Sequence, residues 1–275
     1  MANKGFQLEE KMGVRYYIIP AFEEKGSVIH GFSTRYGGVS SEPFDSLNLG
    51  FHTGDDYHAV LANRYRFCQA LGFSPEKLVA GKQVHKDNIQ NVDFLDIGKG
   101  ALDQDSAIPE TDALITNKPG IGLIAFFADC VPLMFLDPVK KVIGIAHAGW
   151  KGTVLRIGQK TVAKMKEVYG CQPKNILAAI GPSIGPCHYE VDKPVIEQFQ
   201  KQFSNWAQFM KVKSNGKAQL NLWEANRLQL LEAGISDVKI TVAEICTYCN
   251  PELLFSYRYS EGKTGRIAAL IMLVD

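Results

Sequence analysis

Several features are scarce or missing in this 275-residue chain, and each absence excludes a class of function. Basic charge is not in excess: 30 Lys and Arg stand against 29 Asp and Glu, a formal net charge of +1. A nucleic-acid binder is expected to show a basic surplus or stripe, so no nucleic-acid partner is expected. The longest clean apolar run, residues 120–128, is far shorter than the about 20 residues a membrane helix needs. The opening residues, MANKGFQLEEKMG, lack the apolar segment of a secretory signal. These features predict a soluble, cytoplasmic protein with no membrane partner. There is no Pro- or Ser-rich linker, no block of like charges and no fixed-period repeat, which predicts one domain over residues 1–275. The six cysteines (68, 130, 171, 187, 246, 249) are too few for a disulfide scaffold and are expected to be reduced thiols.

What is present is a 46% apolar composition, enough for a substantial core. Strand-like runs lie at 14–19, 28–33, 78–84, 113–116, 121–128, 132–136, 142–146, 176–180, 238–242 and 266–273. Helical spacing of apolar residues marks 56–71, 153–169, 193–203 and 220–233. Three of the strands follow one another through tight turns instead of alternating with helices. That favours an α+β architecture, mixed sheets flanked by helices, over a doubly wound parallel sheet. The polar stretch 98–111 reads as a surface loop.

Three strand ends carry the residues with the most chemistry. Cys130 closes one apolar strand in FFADCVPLMF, and His147 closes the next strand but one in IAHAGWKG. His85 ends a third in GKQVHKDNI. Two readings fit. Cys130 with the two histidines makes a three-ligand metal site with a vacant fourth position, the arrangement of catalytic zinc. Alternatively, Cys130 is a hydrolase nucleophile, a histidine its base, and Asp129 or another polar group orients that base. Type 1 copper also takes a His-His-Cys set with a weak methionine ligand, and Met134 is nearby in sequence. However, the six histidines include no His-X-His pair for the trinuclear cluster of a multicopper oxidase. Residues 31–50 carry Arg35, Ser40 and a Gly37-Gly38 pair that permit an anion-holding turn, although the P-loop order is absent. Residues 179–191 read as a pocket wall; Cys187 and His188, being adjacent, would point apart on an extended chain. The Cys246/Cys249 pair has no second pair at zinc-ribbon spacing and reads as structural. Arg258 and Arg266 could each face an anionic substrate or pair with surface acids.

Taken in order, GFSTRYGGVS, SLNLG, KQVH, ETDALIT, ADCVPLMF, AHAGWKGT, AIGPSIGPCHYEV and FSYR resemble the laccase-domain family, from about residue 31 to 266. Its members were long labelled multicopper polyphenol oxidases and are now regarded as purine nucleoside phosphorylases. The resemblance implies an α/β/β/α sandwich, a monomer or homodimer, and a zinc ion, with copper as the alternative, on His85, Cys130 and His147. It implies phosphorolysis of adenosine, inosine and 5′-methylthioadenosine, together with adenosine deamination. In this reading Cys130, His85, His147 and Asp129 are the catalytic set, Asp129 shuttling protons. Arg35, Ser40, Asn48, Lys151 and Arg258 are the expected substrate contacts. The chain departs from the family pattern at Lys86, Lys151 and Tyr259, where glycine, arginine and arginine are usual.

Overall fold

The computed structural model describes residues 5–274, and its last strand sets the layering. Along β15 (Ile267–Leu273), Ile267, Ala269 and Ile271 enter one buried cluster while Ala268 and Leu270 enter another. Such period-2 alternation with apolar residues on both faces means a strand covered on both sides. Its sheet runs β1 (Gln7–Lys11), β2 (Val14–Ile18), β3 (Val28–Ser33), β15, β7 (Gly122–Phe127), β4 (Leu78–Ala80). A second six-stranded sheet runs β14 (Ile240–Val242), β10 (Leu177–Ile180), β8 (Val131–Asp137), β9 (Val142–Ala148), β6 (Ala113–Thr116), β5 (Ile89–Asn91). Most pairings are antiparallel, with parallel ones at β4/β7, β5/β6 and β10/β14, so both sheets are mixed. A small sheet of β11 (Glu190–Val191), β13 (Ala218–Leu220) and β12 (Met210–Val212) lies to the side.

The two large sheets pack face to face through Phe127, Met134, Leu136, Ile143 and Ile145 with the odd-numbered side of β15. Helix α2 (Tyr57–Leu71) covers the outer face of the first sheet with Phe67, Cys68 and Ala70. Helices α4 (Ile157–Tyr169), α5 (Lys193–Gln202) and α6 (Leu222–Glu232) cover the second. Two shorter helices, α1 (Pro20–Glu23) and α3 (Trp150–Val154), complete the set among the described residues. The expected α/β/β/α sandwich is therefore the one observed. No helix among the described residues is long and apolar enough to cross a membrane.

Local physics explains where the elements differ from the sequence reading. Helix α2 starts at an Asp56 cap that accepts from the Ala59 N–H and stops at Gly72, whose φ of +93° suits glycine. Its buried face is turned relative to the apolar pattern and includes Asn63 and Arg64. The groove they enter is lined by carbonyls: Arg64 donates to Leu49, Gly100 and Ala101 oxygens and stacks under Phe51 and Phe126. The helix expected over 153–169 is two helices, α3 and α4, broken at Arg156 with φ of +62°. The strand expected over 78–84 ends at Ala80, because the next residues bond to other partners.

Burial in this sandwich also sets an acid limit. His30 on β3 is 1% exposed and its Nε2 accepts the Ile19 N–H at 2.8 Å. Burial holds its imidazole neutral, down to about 4. The unfolded imidazole protonates near its usual value of 6.5 while the folded one resists until about 4. Stability from this group is therefore fully present above pH 6.5 and declines as pH falls towards 4, by up to about 1.4 kcal/mol per pH unit. His30→Gln keeps an acceptor for Ile19 without titrating, so its urea midpoint should fall less steeply over that window than the wild type's. Equal slopes would remove His30 from the acid response.

Candidate metal centre and pocket

The QVH segment is tied down at both ends of its reach. Gln83 mimics a strand partner, its amide donating to Phe126 O at 3.0 Å and accepting the Phe126 N–H at 2.8 Å. This fixes the segment to the end of β7 in the first sheet. Asp112, just before β6 in the second sheet, accepts the N–H groups of Val84, His85 and Lys86 at 3.1, 3.0 and 2.9 Å. Held this way, His85 adopts φ of +60°, a left-handed conformation that non-glycine residues hold at a cost. Its side chain stays open to solvent and turns towards β8 and β9.

Cys130 sits in the turn that carries the chain from β7 in one sheet to β8 in the other. The preceding Asp129 has φ of +84°, which makes the sharp crossover. In the β8/β9 hairpin, Val131 pairs with Ala148 and Pro132 with His147, which brings Cys130 and His147 to the same end. Cys130, His85 and His147 place their ligand atoms within 4.8 Å of one another, and the two imidazole centroids are 4.7 Å apart. Gly149 gives them room: a Cβ there would lie 2.8 Å from Cys130 Sγ. The opening of α3 is thus shaped around the thiol. Trp150 packs into the core under α3, and Lys151 lies over its ring at 5.6 Å.

The electrostatics follow from one buried carboxylate. Asp112 Oδ1 is 2.8 Å from His147 Nδ1, and both side chains are almost wholly buried. Burial pushes the Asp112 carboxyl up, but His147 and the N–H groups of Lys86 and Val84 outweigh it, so it lies below the usual carboxylate range. With Nδ1 occupied by Asp112, His147 offers Nε2 to Cys130. Burial would raise the Cys130 thiol, yet His147 and His85 bring it down to about 6. Burial opposes a charge on His147, and the Cys130 thiolate with Asp112 lifts its imidazole to about 9. A thiolate and two imidazoles, one backed by a carboxylate, form a donor set that could hold a divalent cation and leave a coordination position open.

The cluster lies in a pocket of about 610 Å³, a volume in the range of small-molecule sites. Besides the trio, Asp129, Tyr189, Tyr257, Arg258 and Arg266 line it, with Lys82 and His52 from two other loops. Both Asp129 carboxylate oxygens are engaged, accepting from Thr247 Oγ1 and the Arg258 N–H at 2.6 Å each. Arg258 thus enters the pocket through Asp129. The other expected contacts have partners elsewhere and do not line it. Arg35 pairs with Asp45 and donates to Pro251 O. Ser40 and Asn48 both donate to Asp55, and Asn48 also receives the Arg266 N–H. No sequence signal marks Asp112, although it stands inside the ETDALIT motif, and none marks Lys82, Gln83 or Tyr257. Arg266 was legible as a candidate cation.

Comparison with known proteins is consistent along nearly the whole chain. Residues 29–274 match the family model described as multi-copper polyphenol oxidoreductase laccase. A purine nucleoside phosphorylase, YlmD, of Geobacillus stearothermophilus is 42% identical over 244 residues, 88% of this chain and 89% of its own length. The Bacillus subtilis purine nucleoside phosphorylase YlmD is 40% identical over 244 residues, 89% and 88% of the two chains. The crystal structure of a Bacillus licheniformis hypothetical protein, YfiH, superposes with a TM-score of 0.93 at 38% identity, covering 98% of each chain.

Two substitutions probe how the cluster is held. Asp112→Asn removes the carboxylate behind His147 and should weaken metal affinity at the trio by about 10- to 100-fold, the usual effect of losing such a partner. Gly149→Ala should weaken it as well, by driving a methyl group into Cys130 Sγ. Competition against a chromophoric chelator measures both; affinities equal to wild type would contradict the assignment of these residues.

Proposed function

The chain belongs to the multi-copper polyphenol oxidoreductase laccase family, and from that premise we propose that it is a zinc-dependent purine nucleoside phosphorylase with adenosine deaminase activity. The observation that carries this reading is the convergence of His85, Cys130 and His147 beside an open pocket that holds two arginines and two tyrosines. The names of the relatives, purine nucleoside phosphorylases, support the substrate class. Zinc fits the donor set better than copper. Met134, the one candidate axial ligand, lies roughly 13 Å along the strand from Cys130 and faces the core between the sheets.

When bound by the trio, zinc would supply Lewis acidity and an activated water near neutral pH. The chain's own residues do the rest. Arg258 and Arg266, which both line the pocket, are the cations assigned to phosphate; Arg258 Nη1 also donates to Glu190 O, and Arg266 Nη1 to Thr264 O and Gly265 O. The Tyr189 and Tyr257 rings enclose the nucleoside. Burial pushes the Tyr189 phenol up, so its O–H stays a donor at neutral pH. A phosphate oxygen attacks the ribose C1′, the C1′–N9 bond breaks with its electron pair going to the base, and the base takes up the proton that the attacking phosphate loses. The products are free base and ribose 1-phosphate, from adenosine, inosine or 5′-methylthioadenosine. For deamination, Asp129, the acid that lines the pocket next to Cys130, is the proton carrier in this reading, once Thr247 or Arg258 releases one of its oxygens.

One observation favours a second reading, a thiol hydrolase. Cys130, His147 and Asp112 are arranged as nucleophile, base and orienting carboxylate. Such an enzyme would be killed by iodoacetamide and indifferent to chelators.

Zinc-loaded protein given adenosine should yield adenine only when phosphate is present, and inosine with or without it. Arg258→Ala and Arg266→Ala should each raise the KM for phosphate by about 10-fold or more, the loss of a charge-assisted hydrogen bond. Neither product forming on zinc-loaded protein would overturn the nucleoside reading.

A further inference from the structure

A second group of ligating side chains lies apart from the trio, in residues the proposed reaction does not use. Cys187, His188, Cys246 and Cys249 each place one sulfur or nitrogen within 4.8 Å of all the others. Cys187 Sγ is 3.5 Å from Cys249 Sγ, and Cys249 Sγ is 3.2 Å from His188 Nδ1. A tetrahedral zinc ion with ordinary bond lengths needs edges of roughly 3.8 Å between sulfurs and 3.5 Å between sulfur and nitrogen. The observed separations are within a few tenths of an ångström of that figure. A disulfide would need about 2.0 Å, so Cys187 and Cys249 are free thiols in contact.

Cys187 and His188 do not point apart as they would on an extended chain. Residues 186–188 form a turn, not an extended strand, with the His188 and Tyr189 N–H groups both donating to Gly185 O. Adjacent Cys187 and His188 can therefore serve one ion. The partner loop is brought alongside by a bridge between Ser183 and Cys246, with the Ser183 N–H on Ile245 O and the Thr247 N–H on Ser183 O. Two contacts hold the ligands in place. The Gly185 N–H donates to Cys246 Sγ at 3.2 Å, and the His188 ring is stacked on Tyr248 at 4.1 Å, which fixes its orientation. Gly185 has no space for a side chain: a Cβ would meet Trp223 at 2.7 Å and Cys246 Cβ at 3.1 Å. Cys246 is buried while Cys187, His188 and Cys249 reach the surface, so an ion can enter from solvent.

We propose that these four residues bind a structural zinc ion, separate from the ion of the pocket, that staples two loops of the pocket wall together. Four protein ligands close the coordination sphere, which is the structural and not the catalytic arrangement. On binding, the three thiols give up their protons to solvent and the imidazole binds through Nδ1. The staple bears on the pocket through immediate neighbours. Tyr189, next to His188, lines it, and Thr247, next to Cys246, holds Asp129. The Ile184 N–H also donates to Asp129 O.

The test is metal content and thiol reactivity of the full chain purified without a histidine tag and loaded with zinc. Wild type should carry about two zinc ions per chain, and Cys249→Ser and Cys130→Ser about one each, lost from different sites. In wild type, the exposed Cys187 and Cys249 should resist a thiol reagent until a strong chelator is added, a readout that needs no variant to fold. One zinc per chain, with Cys187 and Cys249 reacting at once or joined in a disulfide, would overturn the proposal. That result would leave the nucleoside reading untouched, because the trio would still hold its ion.

Discussion

The site depends on the Asp112 carboxylate. A buried carboxylate is costly unless every lone pair finds a donor, and this one accepts three consecutive backbone N–H groups and faces the His147 ring. Its demand for donors fixes two things at once: the path of the loop bearing His85 and the rotation of the His147 imidazole. The order of the trio is thereby built into the protein, and a cation would find its ligands already aimed. Preorganisation of this kind, a ligand oriented by a hydrogen-bonded outer partner, is what gives metal sites much of their affinity.

The sandwich supplies the meeting place. Gln83 anchors its segment to the first sheet and Asp112 anchors it to the second, while Cys130 stands in the crossover between them. Residues remote in sequence converge because one end of both sheets opens at a single place. The pocket's walls are loops, and each is braced by polar contacts to the scaffold. Arg64 under α2 holds the 47–53 and 98–107 segments, Asn63 bonds Ser40 and Asn48, and Asp129 holds Arg258. In this structure Ser40 and Asn48 serve that bracing.

Much of this was legible in the sequence. Continuous apolar runs mark the long core strands, and three strand ends with His, Cys and His point to the trio. The pieces that escaped share a cause: their partners are backbone groups or distant loops, which leave no periodic mark. Asn63 and Arg64 look solvent-facing because they are polar, yet they satisfy carbonyls in a buried groove. Asp112 is a single acid in a motif whose role appears only once three N–H groups point at it. Cys187 and His188 would diverge on an extended chain, and the turn at Gly185 brings them to one side. The short strands β5, β11, β12 and β13 carry too few residues to show alternation, and β1 is nearly all polar.

The most direct measurement is an anomalous difference map at the zinc edge from crystals grown with zinc. The account predicts a peak within bonding reach of Cys130 Sγ, His85 and His147 Nε2, with His147 Nδ1 still hydrogen-bonded to Asp112. A map with no peak at that position, or an ion held through His147 Nδ1 with Asp112 turned away, would contradict it.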